Sequence, residues 1–186
     1  MSRFLLFIIL CLIEIIPISA QSLSEAEVSA TMNRGFELYK TKQYSDALDA
    51  FLIVSANVDA SKSEVERQVH VCSQMMACAC YYFEKRYYEG YKLAKSLIAG
   101  KLSEDEKTET YKYYCKNGYM LALSYIKQDE QGYAEYKKGR DLLLEIEPYA
   151  TGNLKDVIMQ MVPLIWSIEG GLNICSNKSV SLNLLV

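Results

Sequence analysis

Residues that break helices are scarce in this chain, which has only three prolines and nine glycines among its 186 residues. It also lacks runs of alternating hydrophobicity bounded by turn residues, which are typical of half-buried strands. With 51% hydrophobic and 23% charged residues, the composition is that of a globular protein and excludes a disordered one. We therefore predict one folded, all-α domain without a sheet.

Residues that carry chemistry are also few. There is one histidine, His70, and the chain has no glycine-rich phosphate loop, no Gly-x-Ser-x-Gly motif and no His-Glu-x-x-His motif. His70, Cys72, Cys78 and Cys80 are close in sequence, but residues two apart on one helix point about 200° away from each other and cannot converge on a metal ion. The sequence thus predicts no enzymatic activity, no cofactor and no metal site.

No excess of basic residues is present, since 20 basic and 23 acidic residues give a net charge of −3. A nucleic acid is therefore not an expected partner. Cys72, Cys78, Cys80 and Cys115 are predicted to be small packing residues on helices that face each other. A disulfide such as one between Cys78 and Cys115 is the alternative.

What the chain does contain is a repeated pattern of small residues. Two small residues lie 12 positions apart three times, and the three units begin 43 and then 44 residues apart. Helices approach closely only where side chains are small, so each pair predicts two antiparallel helices in contact. The pairs are Gly35 with Ala47, Cys78 with Gly90, and Ala122 with Ala134.

Predicted helix starts repeat at nearly the same interval. Ser24, Ser63 and Ser103 are each followed three residues later by a glutamate, which is the sequence of a capping box. These serines are 39 and 40 residues apart. Because an N-cap fixes where a helix begins, two different features predict almost the same repeat length.

The repeated positions resemble those of the tetratricopeptide repeat, in a variant with longer helices. In the first unit, Gly35, Leu38, Tyr44, Ala47 and Phe51 match the small, large, aromatic, small and aromatic positions of that family. The second and third units depart from the family at several aromatic positions. The resemblance implies a solenoid of three helical hairpins, at about residues 22–58, 63–99 and 103–147, within a repeat region of residues 22–147.

The two ends of the chain differ from the repeat region. Residues 1–20 have a basic start at Arg3, an apolar stretch and a small-residue cleavage site before Gln21, so they predict a secretory signal peptide, with an uncleaved anchor as the alternative. Residues 151–171 predict a further or capping helix, which Pro163 should kink or split. Residues 172–186 have no clear period and predict an irregular tail.

The resemblance also implies a binding surface, because the first helix of each hairpin in this family lines a concave groove that accepts a peptide. The alternative is that most of these side chains are contacts between adjacent units. The groove candidates are Tyr39, Lys40, Tyr82, Phe83, Lys116, Tyr119 and Lys127.

These expectations together describe an exported, non-enzymatic module that binds a protein or peptide at the periplasmic or extracellular face of a bacterial envelope. One alternative is a truncated sensor domain of a membrane signalling protein of the histidine kinase type, and membrane association is expected only in that longer context. A second alternative is a structural subunit that oligomerises through Trp166 and the apolar tail, Leu184 to Val186. The sequence leaves the oligomeric state open.

Overall fold

The structure is a computed structural model that describes residues 23–127 and 133–183, with side chains described for 23–127 and 134–167. The described residues form seven α-helices and one short 3-10 helix, Glu147–Tyr149, and include no strand, which confirms the all-α prediction. The predicted signal peptide, residues 1–20, and Leu184 to Val186 lie outside the described residues. The helices are α1 Glu25–Lys40, α2 Tyr44–Asn57, α3 Glu64–Phe83, α4 Tyr87–Ile98, α5 Glu104–Ile126, α6 Tyr133–Ile146 and α7 Gly152–Asn183.

Helices α1, α3 and α5 begin at the three serines that the sequence indicates. Ser24, Ser63 and Ser103 are their N-caps, and each side chain accepts a hydrogen bond from the backbone N–H three residues later. At Ser24 and Ser103 the box is reciprocal, since Glu27 and Glu106 each accept the backbone N–H of the serine at 2.8 Å. The capping prediction is confirmed at all three starts.

The turns α1–α2 and α3–α4 have the same backbone geometry. Each has a lysine in the left-handed region, Lys42 with φ 63° and Lys85 with φ 59°. In both turns the backbone N–H of the residue after the lysine donates a hydrogen bond to the carbonyl oxygen five residues earlier, at 2.9 Å. The N–H of the lysine itself donates to the carbonyl oxygen three residues earlier, at 3.0 Å for Lys42 and 3.2 Å for Lys85. This pair of bonds is the Schellman motif, which ends a helix and reverses the chain. The two lysines are 43 residues apart, the interval between the first two predicted units.

Each helix packs on its neighbours in sequence, and α3 also packs on α5. Small residues permit these close approaches: a Cβ on Gly35 would lie 2.8 Å from the Phe51 ring, and one on Gly90 would lie 2.6 Å from Asn117. Ala47, Cys78 and Ala122 are also buried, as predicted.

The third unit uses a different small residue. Ala134 is exposed, so it does not take the packing role that the sequence predicts. Gly139 is buried instead, where a Cβ would lie 2.6 Å from Ile126 and 2.8 Å from the carbonyl oxygen of Ala122. The close approach of α5 and α6 therefore occurs five residues further along the chain.

Helix α7 runs without interruption from Gly152 to Asn183, so the predicted division at residue 171 into a helix and an irregular tail is wrong. Pro163 lies inside this helix and does not split it. It is exposed, where water can satisfy the carbonyl that loses its helical donor. Residues 172–183 include no proline or glycine, and extending an existing helix costs little per residue. Within the described residues, no helix has both the length and the apolar character needed to cross a membrane.

Candidate functional site

Four of the seven groove candidates meet in one cluster of aromatic side chains. We call this cluster the aromatic face and define it as Tyr39, Tyr44, Tyr82, Phe83 and Tyr113 together with Lys116. The last turns of α1 and α3 carry Tyr39 and the Tyr82–Phe83 pair, the first residue of α2 is Tyr44, and α5 supplies Tyr113 and Lys116. Since Tyr39 and Tyr82 are 43 residues apart, they stand at the same position, three residues before the lysine, in the two Schellman turns.

One half of the aromatic face joins α1, α2 and α3. Phe83 stacks on Tyr44 with ring centroids 4.3 Å apart and an interplanar angle of 11°. Tyr39 meets both rings edge-on, at centroid distances of 5.5 Å to Tyr44 and 6.0 Å to Phe83. Phe83 nevertheless stays 42% exposed, so this half presents an apolar ring to solvent.

The other half of the aromatic face contains a cation. Lys116 Nζ lies 5.6 Å from the ring centroids of both Tyr82 and Tyr113. No carboxylate pairs with Lys116 among the residues that the structure describes. Its positive charge is therefore held over two aromatic rings and is available to an acidic group of a ligand.

A link across the face joins α1 to α5. Burial raises the pKa of Tyr39, and a side-chain hydrogen bond with Tyr113 raises it further. The Tyr39 hydroxyl therefore remains protonated at neutral pH. The link brings the first and third predicted units together over the end of α3.

The remaining candidates lie elsewhere. Lys40 is exposed and pairs with Glu37 at 2.7 Å, while Lys127 is exposed at the end of α5. Tyr119 points to α7, where its hydroxyl donates to Met161 Sδ at 3.6 Å. These three side chains do not join the aromatic face. Tyr119 is a packing contact between helices, which is the alternative stated for the groove candidates.

Two members of the aromatic face were missed as site residues by the sequence argument. Tyr44 was assigned only to the repeat pattern, and Tyr113 was not singled out. A usable signal for Tyr113 is its position between Lys112 and Lys116, both of which lie 5.5 to 5.6 Å from its ring. For Tyr44 the signal is its place directly after the turn, opposite the end of the preceding helix.

The buried cysteines supply no reactive group to this site. Cys72, Cys78, Cys80 and Cys115 are free thiols, so the alternative of a Cys78–Cys115 disulfide is not what the structure shows. Burial raises the pKa of Cys78, Cys80 and Cys115 to about 12, which keeps these thiols neutral and weakly nucleophilic. They act as small apolar packing residues.

The aromatic face offers apolar rings, hydroxyl groups and one cation, which is a set suited to binding. Comparisons of the chain with protein-family models, with curated proteins and with solved structures find no match.

Proposed function

We propose that this chain is an exported, non-enzymatic module, built as a tetratricopeptide-like solenoid, that binds a protein or peptide through the aromatic face. The proposed repeat is supported by two equal Schellman turns, by three serine N-caps and by the extra contact of α3 with α5. In such a stack the first helices of successive hairpins lie side by side.

The observation that carries the binding proposal is the convergence of Tyr39, Tyr82, Phe83 and Lys116 from three helices. Exposed aromatic rings bury much area at a low entropic cost, so they are common anchors at interfaces. Phe83 and Tyr44 fit an apolar or aromatic ligand side chain, and Lys116 fits a carboxylate beside it. The proposed ligand is thus a peptide with an apolar residue next to an acidic one.

An array of such peptides, probed with the purified protein, tests the proposal. Matched peptides in which the acidic residue is replaced by its amide should bind less well. For the best peptide, Phe83→Ala and Lys116→Met should each weaken binding about tenfold or more. Tyr88→Ala removes a tyrosine that is 55% exposed on α4 and serves as the control that should bind normally. Equal binding by all three variants, or no binding to any peptide, contradicts the proposal.

A second candidate function, self-assembly, is favoured by the exposed apolar side chains of α7. One face of this helix is packed through Ile158, Val162 and Ile165. Large apolar residues remain exposed on its other sides, namely Val157, Met159, Leu164 and Trp166. A helix that is apolar on most of its circumference is usually covered by a partner.

Sedimentation equilibrium over a range of concentrations tests self-assembly. If α7 joins copies of the chain, the mass should rise with concentration, and Leu164→Glu with Trp166→Glu should return it to that of one chain. Val65→Glu changes another exposed apolar residue, on α3, and should leave the mass unaffected. A constant mass of one chain for the parent protein excludes this candidate in the tested range.

A further inference from the structure

A cavity of about 260 Å³ lies between α4, α5 and α6, apart from the residues of the aromatic face. The lining combines two apolar residues, Ile98 and Ala99, with tyrosines, one lysine and one carboxylate. The volume suits a small head group rather than a ligand of drug size. The lining residues are Lys95, Ile98, Ala99, Tyr111, Tyr114, Glu145 and Tyr149.

The carboxylate on the wall is held in a fixed position by three donors. Glu145 Oε1 accepts hydrogen bonds from the hydroxyl groups of Tyr91 at 2.8 Å and Tyr114 at 2.7 Å. It also pairs with Lys95 Nζ at 2.5 Å. The hydroxyl groups of Tyr91 and Tyr114 thus orient the carboxylate, and the ammonium group of Lys95 is already paired with the same oxygen.

Three of the lining residues are tyrosines whose rings contact one another. Tyr111 and Tyr149 stack at a centroid distance of 4.5 Å, and Tyr114 stands edge-on to both, at 6.4 and 6.0 Å. Lys95 Nζ lies 5.4 Å from the ring centroid of Tyr91. Because aromatic ring faces carry a partial negative charge and attract ammonium ions, tyrosines beside a carboxylate suit a cationic ligand.

We propose that this cavity binds a small organic ammonium ion, and that Lys95 occupies the cation position when no ligand is bound. Ile98 and Ala99 contact the alkyl part of the ligand, while Glu145 and the tyrosine rings receive its charge. Lys95 is 56% exposed, so its ammonium group can turn to solvent when the ligand enters. Because an exposed ion pair contributes little stability, this displacement opposes binding only weakly.

An anion is a poorer fit to the same cavity. Glu145 stands on its wall, and the hydroxyl groups of Tyr91 and Tyr114 already donate to that carboxylate. The one cation of the lining, Lys95, is paired with it as well. Once Lys95 turns to solvent, Glu145 leaves one negative charge in the lining, which favours a cationic ligand. This inference does not depend on the proposed peptide-binding function.

Calorimetric titration of the purified protein with choline and with tetramethylammonium tests the proposal. We expect saturable binding of both, and a several-fold higher affinity in Lys95→Met, which removes the competing internal cation. Glu145→Gln and Tyr149→Leu should each lower the affinity about tenfold. Tyr88→Ala, on the same helix as Lys95, should have no effect.

The Lys95→Met variant keeps the test decisive if other variants fold poorly, since a misfolded protein does not gain affinity. Absence of binding to both the parent protein and Lys95→Met overturns the proposal. So does binding that Glu145→Gln leaves unchanged in a variant whose circular dichroism matches the parent protein.

Discussion

Two glycines determine how closely neighbouring helices approach, Gly35 between α1 and α2 and Gly90 between α4 and α5. Gly35 faces the ring of Phe51, which is fully buried, and Gly90 faces the amide of Asn117, which is also fully buried. Asn117 Nδ2 donates to the carbonyl oxygens of Cys78 at 3.1 Å and Tyr113 at 3.0 Å. Gly90 therefore leaves room for a side chain that joins α3 to α5.

Gly90→Ala should destabilise the protein despite the better helix propensity of alanine. Propensity favours alanine by about 1 kcal/mol, whereas crowding a packed core costs about 1–3 kcal/mol and a displaced buried amide about 1–3 kcal/mol more. We expect a net loss of about 1–3 kcal/mol in the free energy of unfolding, measured with urea. Ser29→Ala, at an exposed site on α1, should be neutral or slightly stabilising. A Gly90→Ala protein as stable as the parent contradicts the packing described.

The two Schellman turns place lysine where glycine is favoured. A residue with a Cβ is strained at positive φ, and both Lys42 and Lys85 have φ near 60°. Lys42→Gly and Lys85→Gly should therefore each stabilise the protein by about 1 kcal/mol, and their effects should add. Lys92→Gly, at an exposed position inside α4, should instead destabilise it by about 1 kcal/mol. Thermal unfolding of the parent, the three single variants and the Lys42→Gly/Lys85→Gly double variant tests these predictions. A loss of stability in either turn variant would contradict the turn geometry described.

At the scale of elements, a charged clamp joins the starts of α3 and α5. The two terminal nitrogens of Arg67 donate to the two carboxylate oxygens of Glu106, both at 3.1 Å. Glu106 also accepts the backbone N–H of Ser103 as part of the capping box. One carboxylate therefore fixes both the start of α5 and its contact with α3.

The clamp predicts a dependence of stability on pH. Burial acts to raise the pKa of Glu106, but the hydrogen bonds from Arg67 and Ser103 outweigh it and hold the pKa below the ordinary value of 4.5. A carboxyl group whose pKa is lowered on folding stabilises the protein above its unfolded pKa, and that contribution is lost as the pH falls. We expect Glu106→Gln to be less stable than the parent by about 1 kcal/mol at neutral pH. This difference should shrink as the pH falls below 4.5.

Urea unfolding of the parent and of Glu106→Gln measures the difference in their free energies of unfolding at pH 7 and at pH 3.5. Arg67→Gln tests the same pair from the other side, and the double variant should lose less than the sum of the two single ones. A difference between parent and Glu106→Gln that is the same at both pH values would refute the assigned role of the clamp.

The elements themselves follow largely from local sequence, while their contacts do not. Serine caps and the Gly35–Ala47 pair are local or periodic features, so they could be predicted. Ala134 continues the spacing of 12, yet the contact with α5 is made by Gly139, five residues further along α6. The tail was predicted irregular because its side chains lack a period, although nothing in it stops a helix.

The candidate site, too, could be predicted from the sequence only in part. The family resemblance predicts Tyr39, Tyr82, Phe83 and Lys116 because they lie on the first helices of the hairpins, which line the groove in that family. The cluster around Glu145 could not be predicted, since its partners are 31, 50 and 54 residues away and no short motif joins them. Long-range contacts of this kind depend on the register of three helices at once.

At the scale of the whole molecule, the first helices of the predicted hairpins meet at the aromatic face. Tyr39 of α1, Phe83 of α3 and Tyr113 of α5 come together there, while α4 and α6 border the ammonium cavity. Helix α7 packs on α6 and leaves large apolar residues exposed. The proposed peptide binding, cation binding and self-assembly are thus assigned to three different surfaces and can be tested separately.

Hydrogen–deuterium exchange with and without the best peptide of the array tests the central claim most directly, namely that the aromatic face is the binding surface. If it is, amides near the ends of α1 and α3 and around Tyr113 of α5 should gain protection, because a bound ligand stabilises the helices that it contacts. Protection confined to α7, or to the residues around Glu145, would contradict this account and transfer the binding function to one of the other two surfaces.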